Sequence, residues 1–436
     1  MYQKWITRGL EKGLTDIEVF ATREQSLKLT VFQQKLDSHV TSDVESIRIR
    51  GVYQGKLASV TFENTHDETA ERMINQLIEN AKALTVSEPA IIYEGSPSYP
   101  KVSPADFDFS SVPVLDKINM LKKIEAGILK SPLASNVSTT VYIESNTSTT
   151  IRNSKGLNLV RDANYAYLYT VGVFKKDDDI KTEYYTKIVK NYQMLNPDQM
   201  IEEVVYKGER KVGGSSVKSK RYPVVFSNEV FSEMLGMYSS TFNGQAALRN
   251  LTLLKDKVGE KVLGDNVSII DNPLLEEAPF QIPFDDEGVA CGPRYVFKDG
   301  VFEGFLQNLK TAKMFDVAPT GHGFNNGISP TNLYLVPGKL SFDELIEPIE
   351  DGIYITDTSG LHAGGNTVSG DFSMQASGFR ILKGKIDHPV KMIVCSGNFF
   401  EMLKHVKGLA NDLSFDISSI GSPSVHIEAL TIGGEA

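Results

Sequence analysis

Histidines are the side chains of this sequence that could most readily bind a catalytic metal. None of the seven belongs to an HExxH, HExxxH or HxH pattern. A helical zinc peptidase site needs neighbouring imidazoles on one segment and a carboxylate that activates water. His322 and His362 stand in glycine-rich segments at 321–327 and 359–370. Because loops run over protein surfaces, we expect both to face solvent, with a joint site between them as the alternative.

Nucleophilic chemistry has one candidate, Cys395, at the end of an apolar run and directly before Ser-Gly-Asn. A thiol exposed at the start of a following helix would have a lowered pKa and could attack a carbonyl carbon. A cysteine that closes an apolar strand is more often buried and unreactive, and the sequence favours that interpretation. No GxSxG elbow is present. An enzyme that uses Cys395 or the loop histidines stays open as an alternative.

Three adjacent carboxylates, Asp285, Asp286 and Glu287, could bind a hard cation. Calcium and magnesium sites need ligands spaced along a loop, so the run predicts a solvated loop instead. The glycine-rich segments match neither GxGxxG before a helix nor a Walker A loop, so nucleotide binding is not indicated.

Composition limits the class of protein. The chain has 436 residues, of which 41% are hydrophobic and 23% charged, as in globular proteins of two or three domains. A net charge of −10 argues against binding nucleic acid, which needs a basic face. We expect no membrane helix and, because the amino terminus is charged throughout, no signal peptide. With only two cysteines, these features predict a cytoplasmic protein.

The pattern of apolar residues predicts a mixed α/β (α+β) fold in two parts. An amino-terminal α/β portion covers 1–220, with subdomains at 1–98 and 113–220, and a strand-rich domain covers 221–436. A basic run at 207–221 with a Gly-Gly-Ser-Ser centre predicts a flexible, solvated linker between them.

Helices and turns within these parts are predicted from local signals. The apolar spacing at 2–10 and a capping box of Thr65 and Glu68 predict two helices, and Asn196-Pro197 starts a third. Alternating apolar residues predict strands at 17–21 and 27–31. The following dipeptides each predict a hairpin turn: Gln54-Gly55, Asp299-Gly300 and Lys383-Gly384.

The second half of the sequence also resembles a known family, TldD/PmbA, once called modulators of DNA gyrase and associated with peptide processing. The resemblance depends on segments at 284–308, 330–338, 368–386, 388–403 and 422–434, with a looser match across 16–84. No single segment is diagnostic, but their order and spacing together are specific.

The family has two kinds of subunit. The TldD type carries HExxxH on a helix and a cysteine near the carboxyl terminus, which together bind zinc. Here the matching segment, 224–245, has Gly236, Met237 and Thr241 at the expected ligand positions, and the matching carboxyl-terminal segment has no cysteine. The resemblance therefore identifies a PmbA (TldE)-type subunit without a metal of its own, and zinc is expected in a TldD-type partner.

The resemblance further implies a dimer, with that partner or with a second copy, enclosing a cleft that holds an extended peptide. The implied function is a non-catalytic, substrate-holding subunit of a metallopeptidase complex acting on unfolded or leader peptides. We predict that the peptide is bound close to the backbone of a glycine-containing turn and a nearby segment. The residues of this prediction are Asn332, Gly370, Asp371, Phe372 and Ser373.

Overall fold

The computed structural model describes residues 1–63, 65–85, 88–103, 107–415 and 417–435. Both halves of the chain combine helices with mostly antiparallel sheets, so the predicted mixed α/β (α+β) fold is confirmed. Within the described ranges, no helix is long and apolar enough to span a membrane.

The amino-terminal part is built on one sheet with the strand order β3-β2-β1-β4-β5-β6, in which all neighbours are antiparallel. Its strands are β1 (Asp16–Phe32), β2 (Lys35–Tyr53), β3 (Lys56–Phe62), β4 (Ala134–Asn153), β5 (Asn158–Lys176) and β6 (Asp179–Val189). Its helices are α1 (Tyr2–Glu11), α2 (Asp67–Ala83), α3 (Val114–Ile128) and α4 (Pro197–Lys211), with 3-10 turns at Phe109–Ser111 and Tyr192–Met194.

Two predicted strands, 17–21 and 27–31, are a single strand, β1. Its odd-numbered apolar residues share one face: the first group packs with α1 and α2, and the second with α3 and α4. One face of the sheet is therefore covered by helices, and the other is left to contact the second part. The division of this half at 98 and 113 stays a prediction, although β1 pairs with β4 across it.

Local signals were accurate except at one helix start. Gln54 and Gly55 have φ angles of 50° and 76°, and the Asn196 side chain accepts a hydrogen bond from Gln199 N to cap α4. The capping box predicted at Thr65 and Glu68 is wrong. Helix α2 begins at Asp67 after His66, and no side chain caps its first turn.

The carboxyl-terminal part contains two sheets, in the orders β10-β9-β8-β11-β17-β16 and β14-β13-β12-β7-β18-β15. Its strands are β7 (Lys220–Phe226), β8 (Ile269–Asp271), β9 (Arg294–Lys298), β10 (Val301–Phe302), β11 (Leu333–Leu335), β12 (Asp351–Ser359), β13 (Asp371–Leu382), β14 (Lys385–Asn398), β15 (Val406–Leu409), β16 (Ser414–Phe415), β17 (Ile420–Ser422) and β18 (Val425–Gly433). Its helices are α5 (Asn228–Ser239), α6 (Gly244–Leu248), α7 (Leu309–Phe315), α8 (Phe342–Ile346), α9 (Leu361–Gly364) and α10 (Phe399–Met402), with a 3-10 turn at Ser240–Phe242.

Strand β14 also pairs with β18, which closes five strands of the second sheet into a ring. The largest hydrophobic core of the described chain joins this ring to α5 and to the other sheet. The two predicted turns are confirmed: Asp299-Gly300 has φ angles of 49° and 80°, and Lys383-Gly384 has 49° and 70°.

The flexible linker predicted at 207–221 is wrong. Helix α4 continues to Lys211, and β7 begins at Lys220. Lys211 lies between Glu183 of β6 and Asp357 of β12 and forms an ion pair with each. The basic run is therefore anchored at both ends, because Lys207, Lys211 and Lys220 each pair with a carboxylate. Its centre pairs with β14 through Ser215 and Val390.

A second connection lies at the opposite end of the sheet, around Arg50 of β2. The guanidinium donates to Glu18 Oε1 through Nε at 2.9 Å and Nη2 at 2.6 Å, and its Nη1 lies 3.3 Å from Glu287 Oε1. The side chain of Arg50 is 8% exposed and that of Glu18 is fully buried. Arg50 therefore neutralises two carboxylates, one from each part, inside their junction.

Replacing Arg50 with methionine should lower the free energy of unfolding by about 3–5 kcal/mol, since it leaves a buried carboxylate unpaired. Arg23→Met is the matched control: Arg23 is also on the amino-terminal sheet, but its pair with Asp43 is exposed, so its loss should be far smaller. Urea denaturation of both variants measures the difference. Equal losses would show that the junction does not depend on Arg50.

Candidate functional site

The segment where the family resemblance places zinc ligands lies on α5 and the 3-10 turn after it. The Ser227 hydroxyl accepts a hydrogen bond from Val230 N and starts α5. Gly236 and Met237 are half-buried on this helix, while Thr241 is buried and donates its hydroxyl hydrogen to Tyr238 O. None of the three offers an imidazole, thiolate or carboxylate, so this segment does not fit zinc.

Side chains that could bind a metal are not grouped elsewhere in the described chain either. Across the described ranges, no group of three or more His, Cys, Asp or Glu side chains is placed to hold a metal ion. His322 and His362 are therefore not brought into one such group. His388 is half-buried and its Nδ1 lies 2.8 Å from the carboxylate of its neighbour Asp387.

The expectation that His322 faces solvent is wrong. Its side chain is 1% exposed, with Nδ1 at 2.8 Å from Thr320 Oγ1. Its Nε2 lies 3.3 Å from Asp271 Oδ1 but is not aligned for a hydrogen bond. His362, in contrast, is exposed on the short helix α9, as predicted. A buried imidazole of this kind supports the loop and is closed to a substrate.

Both cysteines are buried in the structure. Cys395 lies within β14 and is fully buried, and burial raises its pKa to about 12. Burial also raises the pKa of Cys291, whose Sγ donates to Gly321 O at 3.1 Å. The predicted burial of Cys395 is confirmed. At neutral pH both groups are thiols rather than the thiolates that a nucleophile requires.

The prediction of a solvated acidic loop at 285–287 is wrong, because this run is buried at the junction of the two parts. Asp286 Oδ1 accepts from Arg161 Nη2 at 2.6 Å, and Glu287 pairs with Arg50. Asp285 is fully buried and accepts hydrogen bonds only from backbone amides, those of Glu287, Val289 and Gly323. These contacts occupy the three carboxylates with cations and amides of the chain itself.

The five residues predicted to bind peptide lie in two separate places. Asn332 is fully buried, and its amide hydrogens go to Asn272 O and Phe280 O. Gly370 turns the chain with a φ of 85° into β13, where Phe372 is buried while Asp371 and Ser373 are exposed. None of these lines the cleft described below. Their role in peptide binding stays a prediction.

A cleft lies between the two parts of the chain. One arm, of about 980 Å³, lies between α4, α8 and the strands of the closed ring. The other arm, of about 920 Å³, lies between β6, the segment 276–279 and the residues 413–415 and 417. Glu203 and Lys207 of α4 line both arms, so the two arms adjoin along this helix.

The second arm follows the free edge of the amino-terminal sheet. All seven residues from 184 to 190 line it, so the strand contributes its edge and not only one face. Among the described strands, β6 pairs only with β5. The hairpin closes at Lys176 and Asp179, so alternate residues, Tyr184, Thr186 and Ile188, direct their backbone N–H and C=O groups away from β5.

Comparisons with known proteins support the resemblance seen in the sequence. The model of the PmbA/TldA metallopeptidase C-terminal domain matches residues 219–434. Models of the central domain and of domain 1 of the same family match 107–211 and 17–81. A metalloprotease of Methanothermobacter thermautotrophicus is 30% identical over an alignment 325 residues long that covers 68% of this chain and 70% of that protein. The chain belongs to the PmbA/TldA metallopeptidase family.

Two further relatives agree with this assignment. The PmbA homologue of Haemophilus influenzae is 28% identical over 261 residues, 59% of this chain, and the match spans just over half, 56%, of that relative. The crystal structure of a candidate modulator of a DNA gyrase from Thermotoga maritima has a TM-score of 0.93 and 27% identity, and the match covers 99% of both chains. This PmbA/TldA-family chain therefore has, over nearly its whole length, the same fold as a protein of known crystal structure.

The first prediction from the site concerns Asp285. Burial, followed by the charge of Glu287, raises the pKa of Asp285 from 3.8 to about 7. The folded protein then binds a proton that the unfolded chain has released, so this group makes stability fall as the pH rises from about 4 to about 7. Asp285→Asn should remove that part of the slope in urea denaturation across this range. An unchanged slope would show that Asp285 is ionised throughout.

The second prediction concerns the thiols. Because both are buried and protonated, an aromatic disulfide reagent at neutral pH should label the folded PmbA/TldA-family chain slowly and the urea-unfolded chain at both cysteines. Cys291→Ala and Cys395→Ala variants assign the two signals. Rapid labelling of Cys395 in the folded protein would revive the cysteine-enzyme alternative.

Proposed function

We propose that this chain is a non-catalytic, substrate-holding subunit of a metallopeptidase complex that acts on unfolded peptides. The observation that carries the proposal is a combination of two features. The α5 segment has Gly236, Met237 and Thr241 where the family resemblance expects zinc ligands. The cleft nevertheless offers the free edge of β6 to an extended chain.

The edge of β6 suits a peptide because binding by strand addition uses main-chain hydrogen bonds, with little demand on side-chain chemistry. The N–H and C=O groups of Tyr184, Thr186 and Ile188 would pair with the added strand. Folded substrates would be excluded, since their own backbone groups are already paired. Holding the scissile bond in one geometry can lower a reaction barrier by up to about 7–11 kcal/mol, without a catalytic residue on the holding subunit.

Cleavage itself is assigned in this proposal to a TldD-type, zinc-bearing partner. This chain would pair with that partner, or with a second copy in its absence. The alternative, a peptidase that uses Cys395 or the loop histidines, has less support. The Cys395 thiol is buried with a raised pKa, and His322 is enclosed. Neither group opens into the cleft.

The activity prediction is that the chain alone leaves a disordered peptide intact, whereas a mixture with a TldD-type partner cleaves it and a chelator stops the reaction. Mass spectrometry of the peptide after incubation with each protein and with both gives the answer. Chelator-resistant cleavage by this chain alone, lost in Cys395→Ala, would contradict the proposal.

Strand addition can be tested within β6 by removing one outward amide. Thr186→Pro removes an N–H group that faces the cleft and leaves the bonds to β5 in place, so it should weaken peptide binding at least about fivefold, the loss of roughly one hydrogen bond. Thr182→Pro is the matched control: Thr182 has the same orientation on β6 but lies outside the cleft lining. Fluorescence anisotropy of a labelled peptide compares the two. Equal binding would place the peptide elsewhere.

A further inference from the structure

The lining of the cleft carries more negative than positive charge. Among the described residues of its two arms there are ten carboxylates and six lysine or arginine side chains. Several of the cations are already engaged: Lys207 pairs with Glu229, and Lys211 pairs with Glu183 and Asp357. A chain that enters this space therefore meets a negative potential.

The carboxylates are distributed along the path of the proposed peptide. Glu276 and Glu277 are exposed and adjacent on the wall opposite β6. Glu203 lies on α4, at the place where the two arms meet. A bound strand parallel or antiparallel to β6 would pass between these two groups. The charge is thus presented on both sides of the bound backbone.

Aromatic rings form the surface between these carboxylates. Tyr167 and Tyr169 of β5 lie with their rings nearly parallel, 6.2 Å between centroids, and Tyr184 of β6 is 45% exposed. Tyr167 and Tyr169 are the cross-strand neighbours of Ile188 and Thr186, so these side chains share one face of the sheet. Partial burial, and next the charge of Glu233, raise the pKa of Tyr184. Tyrosine faces close to carboxylates accept both apolar side chains and cations.

From these features, and resting on the proposed function, we infer that the cleft selects extended peptides in which lysine or arginine side chains accompany aromatic ones. The aromatic side chains would pack on the tyrosine face, and the cations would lie between the rings and the glutamates. Acidic segments would be repelled by the same glutamates. Main-chain pairing with β6 would hold any extended peptide, and the lining would decide which sequences bind more tightly.

The test uses the full chain and three labelled, disordered peptides of equal length with glycine and serine spacers. One carries lysine and phenylalanine, one glutamate and phenylalanine, and one lysine and serine. In fluorescence anisotropy, the lysine–phenylalanine peptide should bind about tenfold more tightly than either other peptide at ~0.15 M salt. Its advantage over the glutamate peptide should shrink at higher salt, because screening shortens the range of charge interactions.

A pair of neighbouring variants checks that the cleft is responsible. Glu203→Gln should weaken binding of the lysine–phenylalanine peptide about threefold, as expected for one partly exposed charge. Glu202→Gln is the matched control, because Glu202 is exposed on the same helix and does not line the cleft. Melting curves of both variants confirm that they fold.

The outcomes separate the specificity from the proposed function. If the glutamate–phenylalanine peptide bound as tightly as the lysine–phenylalanine peptide, or more tightly, the proposed preference for basic side chains would be overturned. If Thr186→Pro still weakened the binding of all three peptides, the proposal of strand addition to β6 would hold without the sequence preference. Failure of all three peptides to bind would overturn both.

Discussion

The burial of Arg50 between carboxylates of the two parts is the interaction on which the geometry of the molecule most depends. Removing a guanidinium and two carboxylates from water costs free energy that only close mutual pairing offsets. Arg50 can pair with Glu18 and Glu287 together only when the loop at 284–287 lies against β1 and β2. The second oxygen of Glu18, Oε2, is buried without a hydrogen-bond partner among the described residues. Arg161 extends the network by pairing with Asp286. The contact therefore specifies one orientation of the parts, which a purely apolar contact would do less strictly.

Lys211 performs a similar function at the other end of the junction, where it meets Glu183 and Asp357. The cleft lies in the same region, between α4, β6 and the closed ring of strands. Because the parts are joined at two separated clusters of charge, the edge of β6 stays open without the parts closing on it. An exposed edge is normally a hazard for aggregation. Here the segment at 276–279 and the residues 413–415 and 417 line the same arm of the cleft and shield this edge on one side.

The proposed separation of peptide holding from peptide cleavage follows from the chemistry of the residues at the expected zinc-ligand positions. A catalytic zinc site needs several donors converging on one point, and here α5 and the 3-10 turn after it carry glycine, methionine and threonine at the expected positions. The fold itself does not need those donors, since α5 is stabilised by its cap and by the aromatic residues that it buries. A subunit can thus lose metal binding and keep the cleft. Holding and cleaving a peptide are then separable tasks within one architecture.

The sequence by itself determined the features that depend on neighbouring residues. The turns at Gln54-Gly55, Asp299-Gly300 and Lys383-Gly384 follow from residues that tolerate positive φ, and the cap at Asn196 follows from its side-chain oxygen. The order of motifs also identified the family, whereas the expected ligand positions stay a prediction. The start of α2 was missed, because the helix begins at Asp67 with His66 as its N-cap and not with Thr65.

Only the tertiary structure decided which charged and polar side chains are buried. The run at 285–287 reads as solvated because its partners, Arg48, Arg50 and Arg161, are more than a hundred residues away in the chain. His322 was expected at the surface because its glycine-rich loop gives no sign of the burial that places its Nε2 3.3 Å from Asp271 Oδ1. The free edge of β6 also depends on the strand order of a complete sheet, which no local pattern specifies. Long-range pairing determines burial, and burial determines which groups can take part in chemistry.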